Sequence, residues 1–184
     1  RRLGPASIIT ASAAGHYALY LNSSSSNTFS ENYVYNSSAT SAYLAGSGNH
    51  TISGSTLTAR TAGSYAFWAT GSQMNVVRQS LVANSGGAAA YLQTNAKFNT
   101  ITLSTITSSA ANSYALFIQA AASNTVESSY IQGSTAVYVY GSTGTALNSN
   151  VIVAAGAAGS AVALSTTAGV NFSMSSNTVL GGSQ

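Results

Sequence analysis

Short stretches of alternating apolar and polar residues recur along the chain, separated by clusters of Gly, Ser and Asn. The clearest marker is the phrase Asn-Thr-apolar, at Asn27-Thr28-Phe29, Asn99-Thr100-Ile101 and Asn124-Thr125-Val126. Looser copies are His50-Thr51-Ile52, Asn75-Val76-Val77 and Thr145-Ala146-Leu147, with Phe172-Ser173-Met174 a degenerate one. Their apolar members fall about 24 residues apart, the order of a solenoid unit. Three positions after each comes a small polar residue: Asn32, Ser55, Ser80, Ser104, Ser129, Asn150 or Asn177. An apolar residue follows it at Val34, Leu57, Val82, Ile106, Ile131, Ile152 or Val179. Upstream lies a further alternating stretch, as in Ala18-Leu19-Tyr20-Leu21, Ala66-Phe67-Trp68-Ala69 and Ala161-Val162-Ala163-Leu164.

Period-two alternation marks strands, and the intervening clusters mark turns. No 3.6-residue period is present, and β-branched residues with Ser and Asn dominate, so helices are not expected. The pattern predicts an all-β solenoid of about seven coils, each of about 24 residues with three short strands. Stacked coils pair every strand with its copy above and below. The pattern resembles the right-handed parallel β-helix superfamily of pectate-lyase-like solenoids across nearly the whole chain. In particular it is similar to the Ser/Thr/Asn-rich tracts of large bacterial surface and secreted proteins. Right-handedness is what that resemblance implies. Residues 1–184 read as one domain, a segment of a longer chain or a protomer of an assembly. The opening Arg1-Arg2-Leu3, with neither a start methionine nor a signal peptide, points to a processed or excised piece.

Composition narrows the function. Hydrophobic residues make up 45% of the chain and charged residues only 4%. The positive groups are Arg1, Arg2, Arg60, Arg78 and Lys97. Two of them sit at the extreme N-terminus, so no basic patch marks the body and nucleic acid is not an expected partner. No apolar run is long enough to span a bilayer, and membrane insertion is not expected. There is no cysteine.

Catalysis by paired carboxylates is not expected either. The acids are Glu31 and Glu127 alone, which the repeat places four coils apart, or about 19 Å. Glycoside hydrolysis needs its two carboxyls within about 10 Å, and calcium-assisted lyase chemistry, which the resemblance implies, needs several carboxylate oxygens. His16 and His50 read as turn or surface residues. No catalytic residue, metal or cofactor is expected.

Aligning the upstream strands gives an outward row of Tyr20, Tyr43, Trp68, Tyr91, Phe117 and Tyr138, ending at Ala163. Such a stripe predicts a partner-binding face. The candidates are lateral packing against another solenoid or copy, stacking on polysaccharide rings, and a self-contained ladder. Thr28/Ser30, Thr51/Ser53 and Thr100/Thr102 also resemble an ice-binding array, interrupted by Val76/Arg78, Glu127 and Ala146/Asn148. Asn22, Asn36, Asn49 and Asn171 fit the glycosylation sequon. The expectation is a secreted or cell-surface rod, sheath or fibre element, structural or adhesive, with polysaccharide binding as the alternative.

Overall fold

The computed structural model describes residues 2–3, 7–156, 159–165 and 171–181. Among these there is no helix. Short strands succeed one another in a cycle of three, and each strand pairs in parallel with the strand three places on. The result is a β-solenoid with two eight-stranded sheets and one seven-stranded sheet. The first sheet carries the Asn-Thr-apolar phrases, from Thr28–Ser30 to Ser173–Ser175. The second runs from Ile8–Ala11 to Thr178–Leu180, and the third from Leu19–Asn22 to Val162–Ser165.

Register follows the repeat residue for residue. Phe29, Ile52, Val77, Ile101, Val126, Leu147 and Met174 pair in order through the first sheet. Val34, Leu57, Val82, Ile106, Ile131, Ile152 and Val179 do the same through the second. As far as Leu147 and Ile152 these rows, with Leu44, Phe67, Leu92, Leu116 and Val137 of the third sheet, form one continuous apolar core. Each fully buried side chain contributes roughly 1.5–3 kcal/mol. A lone coil exposes one side of every such residue, so burial becomes complete only on stacking.

The corners are made by left-handed residues. Glu31, Gly54, Gln79, Leu103, Ser128, Ser149 and Ser176 all have positive φ, between 48° and 58°, and turn the chain from the first sheet to the second. The next residue is thereby swung inward, which explains the small polar row. There Ser55, Ser80 and Ser104 are buried, and each backbone N–H donates to the side-chain oxygen one coil on. The chain of bonds runs from Asn32 to Ser55 at 3.1 Å and ends on Asn177, whose Oδ1 accepts from Asn150 at 2.8 Å.

A second ladder lies at the entry to the first sheet. The backbone and side-chain N–H groups of Asn75 both donate to Asn99 Oδ1, at 3.0 and 2.9 Å. Asn99 repeats the pattern on Asn124 Oδ1, both at 3.0 Å. His50 occupies the same row. The expectation that it is a turn or surface residue is corrected here: it is 1% exposed, because its corner turns it inward. His16 is exposed, as read.

Candidate functional site

The third sheet aligns Tyr20, Tyr43, Trp68, Tyr91, Phe117, Tyr138 and Ala163 in one register row. Parallel in-register strands place like residues directly over one another, so the rings meet face to face along the solenoid axis. Tyr20 and Tyr43 stack at 5.4 Å and 6°, Tyr43 and Trp68 at 4.2 Å and 26°. Tyr91 and Phe117 stack at 4.7 Å and 8°, and Phe117 and Tyr138 at 5.2 Å and 21°.

The faces of these rings therefore lie against one another, and their edges point outward. Tyr20, at the end of the row, is half exposed at 50%, whereas Tyr91 is only 5% exposed. Tyr43, Trp68, Phe117 and Tyr138 are intermediate.

Three further tyrosines lean over the row. Tyr17 contacts Tyr20 and Tyr43, Tyr65 contacts Trp68 and Tyr91, and Tyr114 contacts Phe117 and Tyr138, with centroids 4.6–5.4 Å apart. Each stands three residues before a member of the row, as Tyr17-x-x-Tyr20, Tyr65-x-x-Trp68 and Tyr114-x-x-Phe117. That spacing was the signal by which the sequence could have revealed them.

Two of the polar tips are paired. Trp68 Nε1 donates to Gln93 at 3.1 Å, and the Tyr91 hydroxyl donates to Gln119. Desolvation, with Tyr65 adding a smaller effect, pushes the Tyr91 phenol up to about 12. Burial likewise raises Tyr43 and Tyr65.

The repeat reading did not single out the outer face of the second sheet. A shallow cleft of about 390 Å³ crosses several coils there, lined among others by Tyr33, Thr58, Arg60, Thr107 and Gln132. Arg60 lies 5.4 Å above the Tyr35 ring, a cation–π contact beside the cleft. The carboxylates stay apart. Register places Glu127 four strands from Ser30, the residue before Glu31.

The sequence matches the family described as periplasmic copper-binding protein (NosD) over residues 6–183. The chain belongs to the NosD family. Its solenoid is accordingly a right-handed β-helix, and the family description locates its members in the periplasm, outside the cytoplasm. Among solved structures, a Parabacteroides merdae protein provisionally named a glycosyl hydrolase superposes with a TM-score of 0.60 at 13% identity. That match covers 83% of this chain and 82% of the other, and the likeness is one of fold. An alginate lyase from Paenibacillus sp. str. FPU-7 aligns at 12% identity and a TM-score of 0.34, over 96% of this chain and 78% of its own. No curated protein matches the sequence significantly.

Copper sites in the NosD family's sense require clustered imidazole, thiolate or thioether ligands. Among the described residues no three His, Cys, Asp or Glu side chains gather. His50 is isolated in its ladder, with Nδ1 taken by the Asn27 N–H at 3.1 Å. Met74 and Met174 belong to strands or corners four first-sheet strands apart. These residues do not fit a copper centre.

Proposed function

We propose that this NosD-family chain is a non-catalytic structural or adhesive rod of the cell envelope or cell surface. The observation that carries the reading is the aromatic row. Its ring faces stack on one another through successive coils, so it braces the third sheet along its length. Two polar ladders and a continuous core run parallel to it. Such a rod resists local opening, because fraying one coil breaks three strand pairings and both ladders together.

Self-association extends the rod. In the last coil the inward Leu164, Met174 and Val179 are 47%, 40% and 47% exposed. Apolar side chains exposed in this way favour contact with a second copy or a neighbouring solenoid segment. In this reading Tyr20, Tyr43, Trp68, Tyr91, Phe117 and Tyr138 meet a partner through ring edges and through the outer face of Tyr20.

Polysaccharide binding is the second reading, favoured by the second-sheet cleft. Tyr33 offers an exposed ring, Thr58, Thr107 and Gln132 offer hydrogen-bonding groups, and Arg60 offers a cation to an acidic sugar. Incubation with neutral and acidic polysaccharides, followed for new reducing ends and unsaturated products, tests the central proposal. No product, with concentration-dependent growth in sedimentation, is the expected result. Steady product release would overturn it.

A further inference from the structure

Both corners of the first sheet are built from left-handed residues. Entry is held by Ser26, Asn49, Met74, Phe98, Ser123 and Gly144, with φ from 55° to 66°. This backbone suits Gly, Asn and small polar residues and disfavours bulky ones. Met74 and Phe98 break that pattern at the entry corner, and Leu103 breaks it at the exit corner, where Ser128 and Ser149 stand in later coils. All three point outward, exposed by 51%, 57% and 59%. Among the large apolar side chains of the described residues only Ile8, in the first coil, is more exposed. None of the three belongs to the core.

They share one face. The Met74 N–H donates to the Lys97 carbonyl at 3.1 Å, which puts Met74 and Phe98 on adjacent coils, about 4.8 Å apart. Leu103 stands at the far end of the strand Thr100–Thr102 that Phe98 precedes. Between the corners the outward side chains are Val76, Arg78, Thr100 and Thr102. Arg78 is exposed and Lys97 half exposed, and Glu127 lies one strand beyond Thr102.

The geometry points to a lipid-docking face. Met74, Phe98 and Leu103 enter the boundary between headgroups and acyl chains of an anionic bilayer, while Arg78 and Lys97 meet lipid phosphates. The apolar tips stand on convex corners, which offer no concavity to a small ligand. Their combined exposed area, on the order of 300 Å², is far below the roughly 800 Å² per partner of a stable protein interface. A fluid bilayer accepts a few protruding apolar side chains flanked by cations. This is adsorption at an interface: among the described residues no helix is long and apolar enough to cross a membrane. The proposal departs from the sequence expectation of no membrane insertion by placing three side chains in the bilayer interface.

Co-sedimentation of the whole chain with vesicles tests this, using phosphatidylcholine alone and phosphatidylcholine mixed with phosphatidylglycerol. The chain should bind the anionic vesicles, more weakly as salt rises. Met74→Ser, Phe98→Asn and Leu103→Ser together install residue types that other coils use at these corners. The triple variant should melt at or above the parent temperature yet bind anionic vesicles at least about tenfold more weakly. Arg78→Ser with Lys97→Ser should erase the preference for the anionic vesicles. A parent that ignores anionic vesicles, or a triple variant that binds them as the parent does, would overturn the proposal. Self-association that depends on Phe98 in place of vesicle binding would overturn it in favour of a protein partner.

Discussion

The imidazole of His50 accepts a hydrogen bond through Nδ1 from the backbone N–H of Asn27, one coil earlier, at 3.1 Å. Nδ1 is therefore unprotonated, and a neutral ring carries its proton on Nε2. His50 thus acts as asparagine does elsewhere in the row, accepting from the coil before it. Its own backbone N–H donates onward to Asn75 Oδ1 at 3.0 Å.

Protonating His50 would set an N–H at Nδ1 against the N–H of Asn27. Burial lowers its pKa, and the nearby Ser24 backbone offsets part of that, although Nε2 has no partner of hydrogen-bond geometry. With the folded pKa below the ordinary value of about 6.5, the unfolded chain takes the proton more readily. The contribution to stability is complete above about pH 6.5 and declines as pH falls below it. Thermal melts between about pH 5 and about pH 8, roughly one and a half units either side of that point, should show this decline. His50→Asn should flatten it, and an unchanged slope would contradict the assigned tautomer.

Asn99→Ala removes the acceptor of two Asn75 N–H groups and the donor to the Ser72 carbonyl. Each orphaned buried group costs about 1–3 kcal/mol, so with three orphaned the urea denaturation should show a loss of at least about 3 kcal/mol. An exposed polar change away from the left-handed corners, such as Ser85→Ala, should stay within about 0.5 kcal/mol.

Leu116 is fully buried in mid-solenoid, between Ala90 and Val137. Leu116→Ala should lose about 2–5 kcal/mol through the cavity it leaves. Leu116→Asp should unfold the middle coils, since no cation lies near to pair with the buried charge. A Leu116→Asp chain that melts like the parent would mean that the inward and outward assignment is reversed.

Tyr91 ionises near 12 in the folded chain, whereas the unfolded phenol ionises near about 10. Its contribution to stability is full below about pH 10 and is lost as pH climbs from there towards the folded value. An ultraviolet titration should show a tyrosine fraction that ionises only at this high pH. Tyr91→Phe should remove it.

Much of the fold could be read in the chain because a solenoid repeats its inward positions. Ile52, Val77 and Ile101 fall where spacing put them, since parallel stacking preserves register from coil to coil. The six-membered aromatic row was legible for the same reason. The orientation of its rings was not, because period two assigns a residue to a face but says nothing of χ angles. His50 was misread for a related reason. A left-handed corner swings the following residue inward, and alternation is interrupted there. The second-sheet cleft was hidden as well, since Tyr33 and Arg60 lie on different coils and only register brings them to one face.

The most direct test of the stacked-row account is the emission of Trp68, the single tryptophan, recorded with and without neutral and acidic polysaccharides. Between Tyr43 and Tyr91, with Tyr65 beside it, the indole should emit at a blue-shifted wavelength indifferent to every glycan. A red-shifted emission, quenched or shifted by one glycan, would contradict the account and make the row an open sugar-stacking platform.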